Sequence, residues 1–276
     1  MTPTQQPPVE PREAALHCLM RTDPDDKVGA VLALAGRCVD ARVRPRPVID
    51  VGRALQPTAP IPGRPTRPPL VPPQSLRHRS MVTVEGRAAL IHALAHIEFN
   101  AIDLALDAVW RFSGLPEAYY IDWLRVTAEE AQHFVLLSRH LRAHGFSYGD
   151  FPAHNGLWEM AERTCDDVLA RMALVPCRLE ARGLDASPSL RAKLAQAGDP
   201  QAAAILDIIL RDEIGHVAAG LRWFGWLCRE RGLDPAQTAD RLAREHRAPR
   251  LPGPFNLDAR RAAGFSEEDL AALTRS

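Results

Sequence analysis

Between Thr83 and Gly232 apolar residues recur every three or four positions, and the rhythm breaks at glycine or proline. That period predicts helices. The first spans 83–112 and stops at Ser113-Gly114. The second starts at Pro116, with proline in a first-turn position, and runs to about Gly145. The third covers 156–182, ahead of Gly183, and a shorter helix fills 188–197. The fourth takes Asp199 as its cap and Pro200 as its first residue, and ends near Gly232. Two short helices precede this block, at 10–21 and 26–37. Gln56–Pro73 breaks both helix and strand patterns, because proline fixes φ and removes an amide donor. It is either an arm laid along the surface or a free linker. The tail, 233–276, is expected to pack over the helices and to end in a short helix at 266–274.

Connection lengths set the topology. A turn of about three residues makes the first two long helices antiparallel neighbours. Residues 144–155 can extend at most roughly 40 Å, at 3.3–3.6 Å per residue. That matches the length of a helix of about 27 residues rising 1.5 Å each. The expectation is an all-α chain: a four-helix bundle with a long crossover between helices 2 and 3, the ferritin-like arrangement. Residues 1–80 would form the N-terminal helices and Pro-rich arm, 81–232 the bundle, and 233–276 the tail.

Composition narrows the function classes. Net charge is zero over 276 residues, so nothing demands a nucleic-acid or membrane surface. The five cysteines form no C-x-x-C pair and are odd in number, which fits reduced thiols in the cytoplasm better than disulfides or structural zinc. Met1–Pro11 is polar and lacks the apolar stretch of a signal peptide. No run is expected to reach the ~20 apolar residues of a membrane span.

The chemistry lies in a repeated motif. Glu130-Ala-Gln-His133 and Glu213-Ile-Gly-His216 are both Glu-x-x-His. Glu98 precedes Glu130 by 32 residues, and Glu180 precedes Glu213 by 33. Residues i and i+3 share a helix face, so each motif aims a carboxylate and an imidazole at one point. The neighbours on these faces are apolar: Trp123, Val126, Phe134 and Leu137 beside Glu130, and Leu206, Ile209, Leu210 and Val217 beside Glu213. A buried carboxylate without a partner costs several kcal/mol or takes up a proton. Two divalent ions balance four such carboxylates. The expected metal ligands are therefore Glu98, Glu130, His133, Glu180, Glu213 and His216, holding two iron ions, with manganese the other metal this oxygen-nitrogen donor set suits. A metal-bound histidine donates its second N–H to a carboxylate. Asp212 is expected to support His133, and Glu129 to support His216.

Other residues keep two readings each. His92 and His96, four apart, either face a substrate or pack structurally. Tyr119 and Tyr120 either serve radical and hydrogen-bond roles or fill the core. Pro176 should kink the third helix one turn before Glu180, opening a substrate path or merely easing packing. Cys177 reads as a small core residue, and Arg178 and Arg182 either line an entrance or stand in solvent.

Ala95-His96-Ile97-Glu98, Ala128-Glu129-Glu130-Ala131-Gln132-His133, Asp150-Phe151-Pro152-Ala153-His154, Leu179-Glu180-Ala181-Arg182-Gly183-Leu184-Asp185 and Arg211-Asp212-Glu213-Ile214-Gly215-His216 carry a resemblance. From about Pro62 to Leu273 the chain resembles a bacterial family of uncharacterised proteins with a ferritin-like domain of unknown function. More distantly it is similar to MiaE-type tRNA hydroxylases and other di-iron monooxygenases. The resemblance supports the fold and the metals and supplies no substrate. The expected function is a di-iron oxidoreductase that uses dioxygen to hydroxylate or otherwise oxidise an organic substrate. The alternatives are a rubrerythrin-like peroxide or oxygen scavenger, and a non-catalytic metal-binding or interaction protein. A small-molecule or carrier-bound substrate and an electron-donor reductase are implied. The basic arm (Arg64, Arg67, Arg77, Arg79) gives tRNA slight support, against the neutral overall charge.

Overall fold

The computed structural model describes residues 10–40, 42–76 and 79–275; Arg77 of the basic arm lies outside them. The chain is all-α. No strand occurs among the described residues, only a single parallel bridge between Leu70 and Ala153. In chain order the helices are α1 Pro11–Leu19, α2 Pro24–Val39, α3 Val84–Arg111, α4 Glu117–Ala143, α5 Gly156–Arg163 and α6 Val168–Leu174. They continue with α7 Ala181–Gln196, α8 Pro200–Glu230, α9 Pro235–Glu245, α10 Leu257–Ala263 and α11 Glu267–Arg275. A π-helical segment, Val175–Glu180, joins α6 to α7.

The chain divides into two compact units, Met1–Arg67 with Ala101–Gln132, and Pro68–Asn100 with His133–Ser276. Both α3 and α4 run through the boundary. In the first unit, α1 and α2 start as their sequences dictate. Glu10 accepts from the Arg12 and Glu13 amides, Asp23 accepts from Asp26, and a proline follows each cap. Arg12 is fully buried. Its guanidinium donates to the carbonyls of Val109 (3.3 Å) and Trp110 (2.8 Å) in the last turn of α3, and to those of Asp50 and Arg53 (both 2.8 Å). The Val109 and Trp110 carbonyls are among those that a helix end leaves without intrahelical partners. Lys27 is likewise buried, paired with Asp103 and donating to the Gly63 carbonyl at 3.0 Å. Gly63 donates in turn to Leu19 O at 2.7 Å. A Cβ there would stand 2.2 Å from Met20 O, so only glycine fits. This part of the Pro-rich arm is thus bonded to the helices. Tyr119 and Tyr120 are core residues, and the Tyr120 hydroxyl donates to Phe112 O at 2.9 Å and accepts from Leu115 N at 3.2 Å.

In the second unit the early part of α3 pairs with the late part of α4, Phe99 and Phe134 meeting at 5.2 Å between ring centroids. Residues 144–155 form the crossover and lie against α3. Tyr148 stacks on His92 and packs on Phe99 and Phe134. His92 Nε2 accepts from Gly149 N at 2.8 Å, where φ of +107° favours glycine. His96 Nε2 donates to His154 O at 3.0 Å, and its Nδ1 lies 2.9 Å from the Tyr148 hydroxyl. Both histidines therefore fasten the crossover. The arm reaches the same loop, Val71 N donating to Ala153 O and Ala153 N to Pro69 O.

The stretch expected as one helix over 156–182 is three pieces. Thr164–Asp167 interrupt it, where buried Arg171 donates to Thr164 Oγ1 and to Ala161 O. After the π segment the helix runs on through Pro188 to Gln196, so no separate helix begins at 188. Proline at 188 leaves the Leu184 carbonyl without its usual donor. Asn256 Nδ2 supplies one at 3.1 Å. The tail is more helical than its sequence suggested, adding α9 and α10. It is held by Arg260, which pairs with Asp185 at 2.7 Å, and by Arg178, which donates to Pro249 O at 2.9 Å.

The expectation that no segment is long and apolar enough for a membrane span fails at α3, which meets both criteria. Its most apolar stretch is 78% buried within the protein, as expected of a core helix.

Candidate metal centre

Glu98 on α3, His133 on α4 and Glu213 on α8 converge, and Glu130 belongs to the same group, one turn before His133 on the continuous helix α4. Each offers a ligand atom, all within 4.8 Å of one another. All four are buried: Glu98 at 4% exposure, Glu130 and His133 at 1%, Glu213 at 7%. At an effective dielectric near 20, two unit charges this close repel by about 3 kcal/mol or more. Three carboxylates cannot share that space as anions unless protons or cations lie among them.

The bonding of His133 points the same way. Its Nε2 lies 3.1 Å from Asp212 Oδ2 and its Nδ1 lies 3.1 Å from Glu98 Oε2. A neutral imidazole carries one N–H, and ionised carboxylates only accept. With Asp212 accepting from Nε2, the Nδ1 lone pair faces a carboxylate oxygen, and a proton or a metal ion must stand between them. Asp212 is the partner expected for this histidine. Burial pushes its carboxyl up, but hydrogen bonds from Arg211 and His133 outweigh that and hold it below the usual carboxylate range. Arg211 is exposed, so Asp212 links a surface cation to a buried imidazole.

His216 and Glu180 lie outside the tight group. His216 is buried, with Nδ1 3.5 Å from Glu213 Oε1 and its ring 5.8 Å from that of His133. Glu180 is half-buried at the end of the π segment. One turn on, a Cβ at Gly183 would stand 4.0 Å from the Glu213 carboxyl carbon, so the start of α7 runs close to that ligand. Glu129 is half-buried next to Glu130. The six oxygen and nitrogen donors, with no thiolate among them, suit iron or manganese.

The kink expected at Pro176 takes the form of the π segment. Such segments occur mostly as single turns inside α-helices, often at functional sites. Gly220 on α8 admits it: a Cβ there would fall 2.5 Å from Pro176 Cβ. Burial pushes the Cys177 thiol up and Glu180 pushes it the same way, in keeping with a small packing residue. Arg182 is exposed.

A second cluster escaped the sequence reading. His140 and His144 on α4 and Asp199 at the start of α8 also offer ligand atoms within 4.8 Å of one another. The i, i+4 spacing of the two histidines was visible, but Asp199 read only as a helix cap.

Comparison with known proteins places the chain without assigning an activity. An uncharacterised protein of Haemophilus influenzae is 52% identical over 213 residues, covering 75% of this chain and 74% of the relative. No solved structure matches. A family model described as "Protein of unknown function (DUF455)" matches residues 20–271, and the chain belongs to that family.

Proposed function

We propose that the chain is a ferritin-like di-iron carboxylate oxidoreductase, with α3, α4, the α6–α7 rod and α8 as its four-helix bundle. It uses dioxygen to hydroxylate or otherwise oxidise an organic substrate. The reading rests on one observation, the buried convergence of Glu98, Glu130, His133 and Glu213. Glu180 and His216 complete the ligand set. Iron bound there would supply redox chemistry and dioxygen activation.

The chain's own residues hold charge and exclude water. Carboxylates can change from one-oxygen to two-oxygen binding without moving their helices, and so accommodate a change in metal charge. Asp212 accepts a hydrogen bond from His133 Nε2 and so keeps the Nδ1 lone pair on the side of Glu98. The apolar neighbours Phe134, Leu137, Ile209 and Val217 are buried and keep bulk water from the group. Glu180 sits on the least regular stretch of helix, where a shift of the carboxylate needs the least backbone work. An electron-donor reductase follows from the chemistry.

The substrate is proposed to be a small molecule or carrier-bound group. Of the arm cations offered for tRNA, Arg79 is already paired with Glu85 and packed over Phe151.

Anaerobic loading with ferrous iron tests the reading. Two irons per chain are expected, with an optical change on adding oxygen and weaker retention in Glu180→Ala and Glu213→Ala. Fewer than two irons, unaffected by either substitution, would refute the di-iron centre. Two irons that oxidise without any substrate-dependent turnover would favour peroxide or oxygen scavenging.

A further inference from the structure

We propose that His140, His144 and Asp199 form a separate site for a divalent ion of the zinc class, tying the last turns of α4 to the start of α8. The site begins seven residues beyond His133, about 10 Å along the helix at 1.5 Å per residue. It shares no ligand with the carboxylate group.

Donor chemistry and hydrogen bonding both support it. Residues four apart on a helix share a face, and the two imidazole centroids lie 4.4 Å apart. His144 Nδ1 lies 2.9 Å from the His140 carbonyl, which can only accept. The ring therefore carries its proton on Nδ1 and presents a lone pair at Nε2. This is the arrangement in which a backbone carbonyl orients a metal-binding histidine. His140 is 4% exposed, with Nε2 2.8 Å from Asp199 Oδ2. An ion ligated by both groups would take the place of the proton that Nε2 and Oδ2 share.

Asp199 is shared economically. Oδ1 accepts from Ala202 N at 2.9 Å as the helix cap, which leaves Oδ2 on the histidine side. The carbonyl end of α4 also favours a cation, and Asp199 offsets the opposing dipole at the start of α8. A recess lined by Val84, Arg87, Ala88, Ile91 and Leu141 opens on the three side chains; the Arg87 guanidinium donates to the Met81 and Val82 carbonyls, both at 3.1 Å, and His144 is exposed, so an ion and a water ligand can enter. Two imidazoles, one carboxylate and an open position suit zinc better than calcium or magnesium, which take oxygen ligands.

The test counts zinc bound to the intact chain after equilibration with excess Zn2+ and removal of the free ion. His144→Ala and Asp199→Asn should each lower the count by one equivalent. Asparagine keeps an oxygen for the cap, and the exposed His144 side chain can be removed without opening the core. The double variant Glu98→Ala/Glu213→Ala should keep the equivalent that His144→Ala loses. Cobalt loaded in place of zinc should lose a ligand-field band in His144→Ala and keep that band in the carboxylate double variant. Equal zinc in the parent and in His144→Ala would overturn the site, whatever Asp199→Asn does to folding. Loss of that equivalent in the carboxylate double variant would also overturn it, because the ion would then belong to the other centre.

Discussion

Replacing His92 with glutamine should flatten the acid side of the stability profile. His92 is fully buried, and burial pushes its imidazole down from 6.5 to about 4, with nearby Asp150 only partly opposing the shift. The unfolded chain therefore takes up a proton as pH falls through 6.5, while the folded chain does so only near 4. A depressed histidine pKa contributes stability above 6.5 that is lost as pH falls towards 4, because the unfolded state then binds more protons. The full effect is about 3 kcal/mol, and roughly 2 kcal/mol of it falls between pH 7.5 and pH 5. Glutamine keeps an acceptor for the Gly149 amide and has no proton to gain. Urea unfolding of both proteins at the two pH values, at fixed metal loading, isolates the term as a double difference. The parent should lose about 2 kcal/mol more than His92→Gln on acidification. Parallel losses would refute both the burial argument and the role of His92 as a neutral acceptor holding the crossover.

Asp212→Asn should weaken ferrous or manganous binding about 10–100-fold while leaving the helical content unchanged, as read by competition with a chelating dye; unchanged affinity would remove Asp212 from the support of His133. Gly220→Ala should lower stability by about 1–3 kcal/mol, because its methyl group meets Pro176, and a melting temperature at or above the parent's would show that the π segment can yield freely. Lys27→Met should cost about 3–5 kcal/mol by stranding Asp103, whose carboxyl burial already pushes up. The double variant Lys27→Met/Asp103→Leu should recover much of that loss in the same unfolding assay.

The sequence was most legible where local rules acted alone. The periodicity of α3 and α4 and the Asp-Pro start of α8 placed those helices within a residue or two of the observed ends. The same Asp-Pro signal stands at Asp234-Pro235, where Asp234 caps α9 through Gln237 N at 2.8 Å, and could have revealed that helix too. The third helix was misread because its shape depends on distant groups. Arg171 holds the break at Thr164, Gly220 admits the π segment, and Asn256 satisfies the carbonyl that Pro188 strands. None of these partners lies within a helical turn of the residue it serves. The site shows the same division. The i, i+3 spacing paired Glu130 with His133 and Glu213 with His216, but it did not say which four groups would come closest, nor that Glu180 would ride on a π turn. His140 and His144 were equally plain as a spacing. Their meaning required Asp199, which reaches them only through the fold.

Arg12 bears on how the chain is made. Its partners Val109 and Trp110 follow it by 97 and 98 residues, so on a ribosome adding roughly 5–20 residues per second they emerge some 5–20 s later. Throughout that interval a guanidinium destined for full burial must stay in water, and α1 has no carbonyl end of α3 on which to dock. The N-terminal helices are therefore expected to settle late in synthesis, although they are translated first. Pauses placed after residue 111 would favour correct docking more than pauses placed before it.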